Sequence, residues 1–287
     1  MIETLSIMDL IFLPDISFYK TSKTEKNLQN LQNLKLFLQK INKNFKNHEI
    51  FANLENVLLS KKSKPKNKKK YNLYSDVGFA NILSEHNIKN ICLSNNHIFD
   101  FKYSGFLQTT KALKKKNIKF FGAGKNLKEA QKPLILKKNA RSCIVFGLSY
   151  KPKATNTKPG VFNLKDEKSL NFIKDHKRKN KSSFIIIYCH SGLELFGYPL
   201  IEDEKIYKKL IDNGADIIIG SHPHRTQGIE NYKNKFIFYS IGDLFIENTS
   251  KKDWNRYITS PAHGSIYKNE IKKKILLESY MIKINTT

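Results

Sequence analysis

The sequence predicts a layered α/β protein with mostly parallel strands, and three observations carry that prediction. Short β-branched and aromatic runs, such as Phe184-Ile185-Ile186-Ile187-Tyr188, Ile217-Ile218-Ile219 and Phe236-Ile237-Phe238-Tyr239-Ser240, read as strands buried on both faces. Stretches with apolar residues three and four apart lie between them and read as amphipathic helices. Strands delivered by helices run parallel, so their carboxyl ends gather along one edge. At those ends Asp, Glu, Asn and His recur.

In chain order, Ile11-Phe12-Leu13 is a short strand with Asp15 at its C-terminal end. Leu28, Leu31, Leu34, Leu38, Ile41 and Phe45 mark an amphipathic helix, and His48 after it reads as an exposed loop histidine. Ile50-Phe51-Ala52 is the second strand, ending in Asn53-Leu54-Glu55. Residues 61–70, KKSKPKNKKK, hold seven lysines in ten. Such a block repels itself and reads as a solvated loop, with a phosphate-tracking arm as the sharper alternative. Ile91-Cys92-Leu93 is the third strand and runs into Ser94-Asn95-Asn96-His97 and then Asp100. A helix over 104–116, a strand and turn at 120–124, a short helix over 126–131 and a strand over 143–147 follow. Residues 150–163, with Pro152, Pro159 and Gly160, read as a loop, and 166–179 as a very basic helix.

His190 is expected two residues past the strand ending at Tyr188, with Glu194 just beyond. A helix over 203–212 leads to Ile217–Ile219, where a sharp turn is expected at Gly220, followed by His222-Pro223-His224-Arg225. A turn after the strand is expected to aim the two histidines at one small ligand. Pro223 fixes its own backbone and pushes His222 to extended geometry, so both imidazoles can face one pocket. The strand over 236–240 ends at Ile241-Gly242-Asp243, and the pattern after about 250 is weak. With no internal repeat and no clear linker, residues 1–287 are expected to be a single domain with its core at about 10–248.

A chain of 287 residues can bury a large core, and its 40% hydrophobic content is ordinary. The formal charge of +26, from 51 Lys+Arg against 25 Asp+Glu, suits nucleic acid, an anionic polysaccharide or a membrane surface. Lys, Asn and Ile crowd every part of the chain, including ordinary helix faces. That is the bias of an A·T-rich coding sequence, so the charge alone is weak support for nucleic acid. Cys92, Cys143 and Cys189 each sit in an apolar run, an odd number without regular spacing, which gives neither a disulfide framework nor a cysteine zinc site. The N-terminus lacks a secretory pattern and no run of ~18 apolar residues occurs, so a reducing cytoplasm is expected.

Asp15, Glu55, Asn95–His97, His190 and His222–His224 all lie just past strand ends, where ligands bind in layered α/β folds. Taken singly, Asp15 is a turn acid, Asn95 a helix cap and His190 a core histidine. Gathered from five loops, these oxygen and imidazole groups suit one or two divalent transition-metal ions such as Mn, Fe or Zn.

The segments NLE at 53–55, LSNNHIFDF at 93–101, CHSGLE at 189–194, GADIIIGSHPHRTQGIENY at 214–232 and YSIGD at 239–243 resemble the CapA-type capsule and poly-γ-glutamate synthesis proteins. These form a branch of the calcineurin-like metallophosphoesterases. The resemblance covers roughly residues 10–248, with the motifs in family order. It implies a two-sheet β-sandwich flanked by helices, in four layers α/β/β/α, with a metal site at the strand ends. It also implies an acid bridging one or two ions and a hydroxide that attacks phosphorus.

By resemblance, Asp15 matches the first motif's aspartate and Glu55 is the bridging carboxylate. Asn96 binds metal through its carbonyl, and His190, His222 and His224 are the remaining ligands. His97 acts on the phosphoryl oxygen or leaving group, donating a hydrogen bond from the neutral ring, and Asp100 and Arg225 join it in the catalytic set. Arg225 reads equally well as a solvated surface charge. Asn53, Asn95, Glu194 and Asp243 are expected to line the substrate. The sequence departs from the family at three places. Pro14 stands where a glycine is usual, Ser17 replaces a frequent histidine, and Asp243 replaces an asparagine. Two cations ~3.5–4 Å apart screen a phosphate ester and bring bound water towards a pKa of ~7. The expected function is therefore hydrolysis of a small phosphorylated or sugar-phosphate substrate in cell-surface polymer biosynthesis. A non-catalytic assembly component and a metal-dependent nuclease are the alternatives.

Overall fold

The computed structural model describes residues 8–17, 25–60, 64–65, 72–138, 141–246 and 280–286. The first half holds β1 (Met8–Ser17), α1 (Glu25–Asn44), β2 (Glu49–Leu54), β3 (Val57–Leu59), β4 (Tyr74–Asp76), α2 (Phe79–Glu85), β5 (Ile88–Cys92), α3 (Lys102–Lys115), β6 (Lys119–Phe121), β7 (Ala123–Gly124) and α4 (Leu127–Ala130). The second holds β8 (Leu134–Lys138), β9 (Arg141–Ser149), β10 (Gly160–Val161), α5 (Glu167–Lys179), β11 (Phe184–His190), α6 (Ile201–Asp212), β12 (Ile217–Ser221), β13 (Ile229–Tyr232), β14 (Lys235–Phe238), β15 (Asp243–Ile246) and β16 (Ile282–Thr286).

Two six-stranded sheets dominate. The first has the order β15-β1-β2-β5-β6, all parallel, with β16 antiparallel to the opening residues of β1. The second has the order β13-β14-β12-β11-β9-β8, parallel in its centre and antiparallel at both edges. Alternation along each strand sorts the side chains into three apolar layers. Between the sheets, Phe12, Phe51, Cys92 and Phe121 meet Val145, Ile186, Tyr188, Ile217 and Ile219. Outside the first sheet, Leu34, Leu38 and Ile41 of α1 and Phe106 and Leu113 of α3 cover Ile11, Leu13, Ile50 and Ile91. Outside the second, Ile173 of α5 and Tyr207, Leu210 and Ile211 of α6 cover Ile144, Phe146, Ile185, Ile187 and Ile218. The result is an α/β/β/α sandwich. Each fully buried Ile, Leu or Phe contributes roughly 1.5–3 kcal/mol.

Local chemistry places the helices. The Asn126 side chain accepts from the Glu129 N–H to start α4, and Asp166 accepts from the Lys168 N–H to start α5. The last turn of α5 carries His176, Lys177, Arg178 and Lys179, and the first turn of α6 Glu202, Asp203 and Glu204, both favourable to the helix dipole.

Several sequence expectations shift. The turn is not at Gly220, because β12 runs through it to Ser221. Gly220 is needed for a close approach instead: a Cβ there would stand 2.0 Å from the Tyr239 carbonyl oxygen. His190 is the last residue of β11 rather than two residues past it, and Asp15 lies inside β1. The 150–163 loop contains β10, which pairs with β7. His48 is half-buried edge-on against Phe45, with centroids 5.1 Å apart. Of the lysine block, Lys64 and Pro65 are described and exposed, and the rest lies outside the described residues, as does most of the tail after 249. Among the described residues no helix is long and apolar enough to cross a membrane, which says nothing about a β-barrel.

Candidate metal centre

The carboxyl ends of both sheets meet along one edge, and the polar groups of the two sheets interlock there. At Pro14, which has no N–H, β1 slips register against β2 between Leu13 and Asp15. The Leu13 carbonyl accepts a 2.6 Å hydrogen bond from the Tyr188 hydroxyl of the opposite sheet. Asp15, fully buried, accepts from the Asn53 side chain at 2.8 Å and from the His222 backbone N–H at 3.0 Å. One carboxylate thus joins the two sheets.

Glu55 follows β2 directly and is 0% exposed, yet neither of its carboxylate oxygens accepts a hydrogen bond. Imidazole nitrogens surround them instead. His190 Nε2 lies 3.2 Å, His97 Nε2 3.9 Å and His222 Nδ1 4.0 Å from Oε1, while His224 Nε2 lies 3.7 Å from Oε2. His222 Nδ1 is also buried without a hydrogen-bond partner. Buried polar atoms left this way are costly and rare. Ligands on tetrahedral bonds of about 2.0–2.1 Å stand ~3.4 Å apart, close to these separations. The donor types and spacing therefore fit a divalent transition metal. Oε1 faces His190, His97 and His222, while Oε2 faces His224.

Three sets of donors lie within 4.8 Å of one another: Glu55, His190 and His222; Glu194, His222 and His224; and Asp15, His224 and Asp243. Glu194, expected at the substrate, is thus within reach of a metal. So is Asp243, which pairs in register with Asp15 and whose Oδ1 lies 2.8 Å from His224 Nδ1. The Asn96 side-chain oxygen lies 2.9 Å from His190 Nε2. His190 Nδ1 lies 3.1 Å from both Ser221 Oγ, which donates to the Cys189 carbonyl, and the Asn53 side-chain nitrogen, so these two residues orient the ring with Nε2 towards Glu55.

The backbone of the histidine turn differs from expectation. His222 has φ +97° and His224 φ +54°, so His222 is not extended ahead of Pro223. Side chains rarely adopt such angles. The Asp15–His222 bond and a 2.6 Å bond from the Leu195 N–H to the Pro223 carbonyl hold the turn.

Asn53 and Asn95, expected to contact substrate, are both 0% exposed and hold the cluster from behind. Asn95 Nδ2 donates to the Asn53 and Leu54 oxygens at 3.2 and 2.9 Å, and its Oδ1 accepts from the His97 and Ile98 N–H groups. Asp100 lies behind His97, its Oδ2 2.6 Å from Nδ1, and also accepts from the Leu73 N–H. With Nδ1–H given to Asp100, a neutral ring accepts at Nε2, and only the doubly protonated ring donates there. The Arg225 guanidinium lies against Gly197, where an added Cβ would stand 3.6 Å from Cζ.

The charges are coupled. Burial alone would raise the Glu55 pKa, but His224 and His190 outweigh it and hold it well below the usual carboxylate range. Burial would lower His190, yet Glu55 and Asp15 hold it up at about 9. His224 is raised well above its ordinary value against burial by Asp243 and Glu55, whereas burial and the neighbouring His190 push His222 well below it. Burial lifts Asp243 to about 6 despite His224.

Residues 11–249 match the family described as bacterial capsule synthesis protein PGA_cap. The capsule biosynthesis protein CapA of Bacillus anthracis is 31% identical over 57% of this chain and 40% of its own length. The PGA biosynthesis protein CapA of Bacillus subtilis is 26% identical over 72% of this chain and 54% of its own. A probable polyglutamine synthesis accessory protein of Mycobacterium tuberculosis is 30% identical over 53% and 43%. The chain spans about half the length of the curated relatives it matches.

Proposed function

We propose that this chain, which belongs to the bacterial capsule synthesis protein PGA_cap family, is a metal-dependent phosphoric ester hydrolase acting in capsule or other cell-surface polymer biosynthesis. The observation that carries the reading is Glu55, a fully buried carboxylate with two unbonded oxygens set among four imidazoles. Glu55 would be shared by two metal positions, one also held by His190, His222 and Asn96 and the other by His224 and Asp243. Asp15 lies within reach of His224 and Asp243, and Glu194 within reach of His222 and His224. A divalent ion held there would screen the anionic ester and bring water to a pKa of ~7.

The remaining roles belong to the chain. Asp100 fixes the His97 ring through Nδ1, so that Nε2 faces the cluster, where it would act on a phosphoryl or leaving-group oxygen. Arg225, the residue after His224 with its guanidinium beside Gly197, would serve as a clamp for a phosphoryl oxygen. Three free, buried cysteines accord with the reducing cytoplasm as the setting.

The test is phosphate release from a panel of phosphomonoesters and diesters by protein purified without chelator and supplied with Mn, Fe or Zn. Metal binding without release from any ester would favour the second reading, a non-catalytic accessory component, the word printed for the mycobacterial relative.

A further inference from the structure

Every polar atom of the Asn53 side chain, near the end of β2, is engaged with the cluster or its supports. Nδ2 donates to Asp15 Oδ1 at 2.8 Å and lies 3.1 Å from His190 Nδ1, while Oδ1 accepts from Asn95 Nδ2 at 3.2 Å. The bonds continue in both directions. On one side, Asn95 Oδ1 accepts from the His97 and Ile98 N–H groups at 3.1 and 3.0 Å. On the other, Asp15 Oδ2 accepts from the His222 N–H at 3.0 Å. An unbroken line of hydrogen bonds thus runs from the loop carrying Asn96 and His97, in the first sheet, to the turn carrying His222 and His224, in the second.

Chemistry dictates the direction of each bond. Both oxygens of Asp15 accept, so the amide nitrogen of Asn53 must face it and the amide oxygen must face Asn95. Asn95 must then turn its nitrogen to Asn53, which leaves its oxygen for the two backbone N–H groups. Only a primary amide presents donors and an acceptor side by side in this way. Asp15, Asn53 and Asn95 are all 0% exposed, so water has no access to replace a missing partner.

We infer that Asn53 is a positioning residue for the metal centre. By holding Asp15, His190 and Asn95 at once, it fixes the imidazoles of the second sheet relative to Asn96 and His97 of the first. It acts on an ion only through these neighbours. The inference rests on the metal-centre part of the proposed function and is independent of which ester is cleaved. Asn90 of β5 supplies the contrast. It is equally buried and also bonds to β2, at Glu49 Oε2 (2.8 Å) and the Ile50 carbonyl (3.3 Å), but at the strand's opposite end.

The test is the affinity of the full chain for Mn²⁺ and for Zn²⁺, by competition with a chromogenic chelator. Asn53→Ala should weaken binding roughly 10- to 100-fold, the usual effect of removing a group that orients metal ligands. Asn95→Ala breaks the same line at its next link and should also weaken binding, and it carries the test should Asn53→Ala fail to fold. The double variant should bind about as Asn53→Ala does, because links of one network are not additive. Asn90→Ala should melt lower than wild type yet bind metal equally well, which a merely structural role for Asn53 would not predict. In the metal-free protein, nuclear magnetic resonance should show the His222 N–H exchanging faster in Asn53→Ala than in Asn90→Ala. The inference is overturned if Asn53→Ala binds as wild type does, if Asn90→Ala loses as much affinity, if the losses from Asn53 and Asn95 add, or if the His222 exchange is unchanged. A wild type that takes up no ion would instead remove the metal centre itself, and the inference with it.

Discussion

Metal should stabilise this fold strongly, and Glu55 should be the reason. Without metal, Glu55 lies fully buried with neither oxygen hydrogen-bonded and His222 Nδ1 equally orphaned. A metal that binds only the folded state contributes RT ln(1 + [L]/Kd), about 4 kcal/mol when the free ion is a thousandfold above Kd. At ~2–4 °C per kcal/mol for a chain approaching this size, the melting temperature should rise by roughly 8–16 °C. The assay is a thermal melt of chelator-stripped protein, then of the same protein with each ion in turn. Glu55→Gln keeps the shape of the side chain but removes the charge shared between the two positions. Its metal-free melt should fall below wild type at neutral pH, because the charge that holds His190 and His224 up is gone, and the metal-induced rise should largely disappear. A wild-type midpoint indifferent to every ion, or a Glu55→Gln variant that gains as much as wild type, would refute the reasoning.

Metal affinity should rise with pH between about 6.5 and 9, by about tenfold per unit for each proton displaced, because His190 is held up at about 9 and must lose its proton to coordinate. Titrations at several pH values check this, and a flat profile would contradict it. The metal-free protein should show the opposite trend. A raised histidine pKa contributes stability that is complete below its unfolded value and is lost as pH climbs through about 9, so the stripped protein's urea midpoint should fall across that range. Gly220→Ala should cost about 3 kcal/mol in urea unfolding, since its Cβ would stand 2.0 Å from the backbone oxygen of Tyr239. Tyr188→Phe should cost about 1 kcal/mol by the same measurement, the value of a buried hydrogen bond to the Leu13 carbonyl.

The central strands and the helices over both sheets were legible because burial on one or both faces writes a period into the sequence. The edges were not. Leu134–Lys138 and Ile229–Tyr232 are short, partly polar and open to solvent on one side, so no strong period marks them. Strand ends were misplaced where a polar residue closes the strand. Ser221 and His190 belong to their ladders although their side chains serve the site. Pairing of the two sheets was legible through resemblance alone, since nothing in a strand's own pattern says which layer covers it.

In the site, residue types and order pointed to the cluster, but hydrogen bonding divided the roles. Asn53 and Asn95 carry no sequence mark distinguishing a buried support from a substrate contact. Glu194 reads as a substrate-lining acid, and only the fold brings it within reach of the ligand atoms of His222 and His224. The positive φ at His222 was hidden because the bias of a residue before proline argues for the extended region.

The most direct test compares metal content and turnover for His97→Ala and His222→Ala, on whichever ester the panel identifies. His97 lies against Asp100 with Nε2 3.9 Å from Glu55, whereas His222 Nδ1 is an orphaned donor in the cluster. His97→Ala should keep wild-type metal and lose roughly 10²–10⁴ in turnover, and His222→Ala should lose metal and turnover together. A His97→Ala variant that retains both metal and full turnover would contradict the role given to His97 on the phosphoryl group, and one that loses metal as His222→Ala does would make His97 a ligand instead.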